Sequence, residues 1–178
     1  MTIETKRLFL REMVPNDFSA LYTVLEDSDI MQHYPYTFDE SRVRGWIVRN
    51  MERYETDGFG LWAVCLKESG KMIGDCGLTL QNINGQIKPE IGYHIAKAYR
   101  RKGYAKEAAQ AVRDWAFQNT DFDALYSYMK AENLPSIATA QANEMTLTEQ
   151  YTDSEGEQTL VFGILRKRWL RIGEYDHE

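Results

Sequence analysis

Hydrophobic positions change their spacing several times along the chain, and each change marks an element. Residues 6–11, with the apolar run Leu8, Phe9 and Leu10, read as a short strand. Pro15 then opens a helix to about Leu25, with Phe18, Leu21, Tyr22 and Leu25 on one face. A second helix is predicted from near Thr37, where Thr37 and Glu40 have capping-box spacing. Its apolar stripe is Val43, Trp46, Ile47, Met51 and Tyr54, and Gly58 supplies the stop.

Strand-like runs then take over. Residues 59–66 read as a mostly apolar strand, residues 68–71 with Gly70 as a turn, and residues 72–80 as the next strand. Asn84-Gly85 predicts a hairpin into a strand over residues 88–95. Ala105, Ala108, Ala109, Val112, Trp115 and Ala116 form a helical stripe of mostly small residues, suited to close packing on a sheet. Residues 124–129 form a further strand, residues 133–142 a helix with Pro135 in its first turn, and residues 147–151 and 159–165 the last strands. The order β, α, α, β, β, β, α, β, α, β, β predicts an α/β fold. It is a single domain over residues 1–178, with a central mixed, mostly antiparallel sheet flanked by helices.

Composition narrows the classes. A chain of 178 residues can bury its own core without disulfides or metal. The net charge of -6 argues against a nucleic-acid partner, which needs an excess of cations over a broad surface. Cys65 and Cys76 fall in apolar strand-like runs without CxxC spacing, so they read as buried thiols. No apolar run is long enough to cross a bilayer and the N-terminus lacks a signal-peptide core, which predicts a cytoplasmic protein with no membrane partner.

Candidate chemistry concentrates in residues 99–109, YRRKGYAKEAA, directly after the strand EIGYHI. Gly103 sits where a strand gives way to a helix, with Arg100, Arg101 and Lys102 crowded at the entrance. The first amides of a helix lack intrahelical partners and lie at the positive end of its dipole. A glycine there admits a pyrophosphate close to the backbone.

This turn, formed by Arg100, Gly103 and Ala105, together with EIGYHI, the element order and the later Asn133 and Ser136, resembles the GNAT superfamily of N-acetyltransferases. The details look most like the branch that includes ribosomal-protein N-terminal acetyltransferases. The resemblance spans essentially the whole chain and implies a GNAT-like fold, acetyl-CoA as cosubstrate, no metal, and an amine acceptor that is a protein N-terminus or a small molecule. A homodimer is left open. It implies that Ile95 and Ala96 present a strand edge to the pantetheine arm. The backbone of Arg101, Lys102, Gly103, Tyr104 and Ala105 would hold the pyrophosphate, and one of Arg100, Arg101 and Lys102 an outer phosphate.

Proton chemistry is less settled by the residues. Glu90, just before Ile-Gly-Tyr, is the first candidate for the base, against the plainer reading of a solvated strand end. His94 shares its strand parity and titrates in the useful range, or is a hydrogen-bonded structural histidine. Ala140 stands where many family members carry a tyrosine acid. Ser136, with Asn133, is implied near the CoA sulfur instead, and both also read as helix caps. A second departure is Glu144 where glycine is common, with Asn143 expected to take the left-handed turn. Tyr34, Tyr36 and Phe38, with Trp62 and His94, are candidate acceptor-pocket residues, while clustered aromatics also serve packing. Arg113, Asp114, Arg166, Lys167 and Arg168 read as solvated faces or rim contacts. The alternative to an enzyme is a noncatalytic acyl-CoA-binding or sensing module on the same fold. A dinucleotide-binding enzyme is disfavoured, because the turn follows a hairpin meander and lacks GxGxxG in a βαβ unit.

Overall fold

In the computed structural model, which describes residues 1–175, the strands are β1 (Thr2–Glu4), β2 (Leu8–Arg11), β3 (Leu61–Leu66), β4 (Met72–Ile83), β5 (Gln86–Ile95), β6 (Ala124–Lys130), β7 (Thr146–Thr152) and β8 (Gln158–Leu165). The helices are α1 (Phe18–Leu25), α2 (Ser28–Met31), α3 (Glu40–Thr56), α4 (Tyr104–Asn119), α5 (Leu134–Ala142) and α6 (Arg166–Tyr175). All the strands belong to one sheet in the order β1-β2-β3-β4-β5-β6-β8-β7. Every pairing is antiparallel except that of β5 with β6.

Each face of the sheet carries its own core. On one face, Ala108, Ala109, Val112 and Ala116 of α4 pack on Trp62, Val64, Leu78 and Ile91. On the other, Leu21, Val24 and Leu25 of α1 and Val43 and Ile47 of α3 pack on Leu61, Ala63 and Cys65. This explains the unbroken apolar run of β3: alternate side chains serve opposite cores, so neither face faces water. Cys65 and Cys76 are both buried, one in each core.

The boundaries depart from expectation where side chains outcompete pattern. Asp39 caps α3 by accepting from Arg42 N at 2.8 Å, so the helix starts at Glu40 and the Thr37 capping box does not form. Thr5 Oγ1 accepts from Leu8 N at 2.9 Å, making a turn, so the strand expected over residues 6–11 starts only at Leu8 and the unexpected β1 precedes it. Glu144 itself adopts the left-handed conformation (φ 63°), and Asn143 does not (φ -88°). Two charges read as solvated are structural. Arg113 is buried and donates to Asn143 C=O, and Arg166 caps carbonyls of Phe117, Thr120 and Phe122 at the end of α4.

Strands β3, β4 and β5 approach closely enough to demand glycine. A Cβ on Gly77 would lie 2.0 Å from Gly60 O and 2.6 Å from Leu61 Cα, against backbone that cannot rotate away. Gly77→Ala is therefore expected to cost about 3 kcal/mol, the upper end of overpacking. That corresponds to a Tm lower by roughly 6–12 °C for a domain of this size, read by thermal denaturation.

Candidate active site

Strands β5 and β6 meet in parallel register at Glu90↔Tyr126 and then part. The ladder with β4 turns the even-numbered amides of β5 toward β4, ending with Ala96 N donating to Ile73 O at 2.8 Å. The odd-numbered groups face the other way. Ile91 C=O takes the Ser127 hydroxyl at 2.8 Å and Ile95 C=O takes Arg100 Nε at 2.9 Å. Tyr93 N–H, Tyr93 C=O and Ile95 N–H consequently point into the opening between the strands. The expected edge at Ile95 and Ala96 is thus shifted, because Ala96 N–H is already spent on β4.

Beyond Ile95 the chain makes a 3-10 turn, Lys97–Tyr99, and enters the cradle. Arg101 (φ 60°) and Gly103 (φ 81°) are both left-handed, and no side chain caps α4. Backbone amides at the start of α4, among them Tyr104 and Ala105, have no intrahelical partner. Arg101 and Lys102 are exposed beside them. Arg100 is not, since its guanidinium also pairs with Asp29 at 3.1 Å and ties the turn to α2. These left-handed residues, the helix start without a side-chain cap and the two exposed cations fit the diphosphate of a coenzyme A.

Arg7 supports the cradle from the other end of the chain, and sequence spacing carried no sign of it. Its Nη1 donates to Lys102 C=O at 2.9 Å, its Nε to Glu107 at 2.6 Å, and its guanidinium lies 4.4 Å from the centre of the Tyr104 ring. Burial raises the Glu107 pKa, but hydrogen bonds from Thr5 and Arg7 outweigh it and hold the carboxyl below its ordinary range.

On the α1 and α3 face, the even positions of β5 present Glu90, Gly92 and His94. The Glu90 carboxylate folds over Gly92: a Cβ there would lie 3.1 Å from Oε2. Thr79 Oγ1 donates to Glu90 Oε2 at 3.1 Å. Burial pushes the Glu90 pKa up to about 7, with Thr79, His94 and Arg53 pulling weakly the other way. His94 Nδ1 lies 2.7 Å from Asp75 Oδ1 and Nε2 lies 2.6 Å from Tyr34 Oη. Trp46 Nε1 donates to Asp75 Oδ2 at 3.0 Å. Burial disfavours the His94 cation, but the Asp75 carboxylate and Glu90 reverse the balance and raise its pKa. Tyr34, Tyr36 and Phe38 pack edge-on and tilted around this network, Phe38 itself buried in the core.

Trp62 is not with them. It is 0% exposed and packs edge-on to Trp115 on the opposite face of the sheet, because its register partner Cys76 and the next strand's Tyr93 point that way. Asn133 caps α5, its Oδ1 accepting from Ser136 N at 3.3 Å. Ser136 C=O accepts the Tyr93 hydroxyl at 2.9 Å, which brings Ser136 beside the residue whose backbone faces the opening. Ala140 is buried in the α4-side core. Asp75 and Trp46 escaped sequence reasoning; the cross-strand register that sets Asp75 against His94 was the missing information.

A family model described as Acetyltransferase (GNAT) domain matches residues 7–146. The Bacillus subtilis protein YkkB is 33% identical over 138 residues, which are 77% of this chain and 80% of the relative. The N-acetyltransferase YnaD of Bacillus subtilis is 31% identical over 137 residues, 76% of this chain and 77% of the relative. The solved GNAT-family acetyltransferase from Bacillus anthracis superposes with a TM-score of 0.81 at 24% identity, covering 94% of this chain and 99% of that one.

The raised pKa of Glu90 has a stability signature. A carboxyl that titrates near 7 when folded and near its ordinary 4.5 when unfolded holds its proton more tightly in the fold. Its contribution is full below about pH 4.5 and is lost as pH rises to about 7. Glu90→Gln, which does not titrate, should gain on the wild type across that window by up to about 3 kcal/mol, at 1.36 kcal/mol per pKa unit. Thermal melts of both proteins at pH 4.5 and pH 8 check this. An equal Tm difference at the two values would rule out the buried, proton-binding carboxyl.

Proposed function

The chain belongs to the GNAT acetyltransferase family, and on that premise we propose that it moves an acetyl group from acetyl-CoA to a primary amine by direct attack on the thioester. The observation that carries this reading is the continuity of the open β5 edge with the cradle at α4. The cradle holds the diphosphate on the amides of residues 101–105, with Arg101 and Lys102 meeting its outer oxygens. Tyr93 and Ile95 bond the pantetheine arm through their backbone. An N–H at this edge also meets the thioester oxygen as charge develops on it, an effect whose loss typically costs about 10²- to 10³-fold in rate. The coenzyme supplies the activated acetyl carbonyl. Ser136 lies on the leaving-group side, where a thiol pKa of about 8.5 makes departure as thiolate tolerable without a strong acid.

On the acceptor side, Glu90 serves as base and Tyr34, Tyr36 and His94 line the pocket. An α-amino group has a pKa of roughly 7.7–8.0 and a lysine-type amine roughly 10.4. A carboxylate near 7 takes a proton from the first at little cost and from the second only steeply uphill. The reading therefore favours α-amines, those of protein N-termini or amino acids. The burial of Ala140 in place of a tyrosine keeps a second reading in view, a noncatalytic acyl-CoA sensor.

CoA release across a panel of N-terminal peptides, amino acids, polyamines and aminoglycosides, with mass spectrometry of products, separates the two. Turnover is expected with α-amines leading at pH 7; binding of acetyl-CoA with no turnover on any amine would leave the sensor. Acetyl-CoA at about 100 times its Kd should stabilise the fold by roughly 2.7 kcal/mol. Gly103→Val should weaken that shift, since a β-branched residue cannot adopt φ 81° without strain.

A further inference from the structure

We propose that Tyr34, His94 and Asp75 form a second proton acceptor for the amine, in which Tyr34 meets the substrate and Asp75 is a positioning residue behind His94. The proposal rests on the acetyl-transfer reading above and adds a step to it. A primary ammonium must shed two protons to become an amide. Glu90 can take one, and that proton must leave before it can take another. The chain of Tyr34, His94 and Asp75 provides the second site on the same face of β5.

The geometry dictates the direction of travel. An ionised carboxylate only accepts, so the 2.7 Å contact with Asp75 places the imidazole proton on Nδ1. In neutral His94, Nε2 is then bare, and the Tyr34 hydroxyl 2.6 Å away donates to it. Asp75 is 0% exposed and held by Trp46, so neither water nor rotation competes for its oxygens. The His94 side chain is 13% exposed. The Tyr34 ring is half-buried, its centre 5.8 Å from that of His94 and 5.0 Å from that of Phe38, on the face of β5 that also carries Glu90.

In the proposed step the amine nitrogen bonds to the acetyl carbon and the C–S bond breaks, its electron pair leaving on sulfur. The surplus proton on nitrogen passes to Tyr34 Oη as the tyrosine's own proton passes to His94 Nε2. The imidazolium that results faces Asp75 across β4 and Glu90 along β5, both favourable, and Arg100 more distantly opposes it. His33, beside Tyr34, acts against it weakly. The phenol is regenerated within the step, and the proton returns to solvent from His94 after product leaves.

Nitrogen-15 NMR of histidine-labelled wild-type protein reads the arrangement without any substrate. Above the His94 pKa, the proton is expected on Nδ1; a proton on Nε2 with Nδ1 bare overturns the proposal. With the best acceptor from the panel, Tyr34→Phe should lower kcat about 10²-fold, the low end for a general acid-base group, with KM little changed. Wild-type kcat in that variant also overturns it. Asp75→Asn should free the ring to invert its tautomer and shift the His94 titration to lower pH; if that variant does not fold, His94→Asn with an unaltered kcat is the overturning result. Should no amine turn over, the acetyl-transfer reading falls and the relay with it; turnover with the proton on Nε2, or with wild-type kcat in Tyr34→Phe, overturns the relay alone.

Discussion

The structure depends on a single place where two parallel strands pair and then separate. Parallel pairing at Glu90↔Tyr126 joins the β1–β5 meander to the β6–β8 unit, so the sheet is continuous through it. Its brevity is as important as its presence. Every further rung between β5 and β6 would consume the backbone groups of Tyr93 and Ile95, and a fully zipped sheet would have no polar edge to offer a ligand. Two side chains hold the opening by satisfying the adjacent carbonyls: Ser127 at Ile91 and Arg100 at Ile95. Both carbonyls would otherwise favour a neighbouring strand.

The divided cores follow from that opening. The α4 face is sealed by small alanines, which let the helix lie close to the sheet and aim its N-terminus along the exposed edge. On the opposite face an aliphatic core is bordered by aromatics, with Trp46 edge-on to both Phe38 and His94. Under the acetyl transfer proposed above, the diphosphate would meet the helix amides on one side of the sheet and the amine would meet Glu90 and Tyr34 on the other.

Much of this was legible in the sequence because it is local. The hairpin at Asn84-Gly85, the small-residue stripe of α4 and the glycine turn at residue 103 each declare themselves within a few residues, and the structure places all three as the pattern predicts. What stayed hidden depends on register. Trp62 and His94 look equally eligible for an aromatic pocket until β3, β4 and β5 are aligned, when parity sends them to opposite faces. Arg7 and Lys102 are far apart in sequence, and no periodicity relates them. Arg166 reads as a surface charge because its three carbonyl partners become available only when α4 ends beside β8. The short α2 and the C-terminal α6 went unpredicted for a related reason: α2 is four residues long and α6 begins immediately where β8 ends, without a turn between them.

The two carboxyls on the face of α1 and α3 are held in different ways. Asp75 receives an indole N–H and an imidazole N–H, two oriented donors that replace the water it lost. Glu90 receives one hydroxyl, with the bare backbone of Gly92 beneath it, and burial dominates its titration. Both lie on the same face of adjacent strands, Asp75 opposite His94 and Glu90 beside its partner Thr79. Gly92 is what lets the Glu90 carboxylate fold inward. A side chain at that position would occupy the space over which the Glu90 carboxylate folds, push it outward toward water and lower its pKa, and so remove the reason for placing a base there.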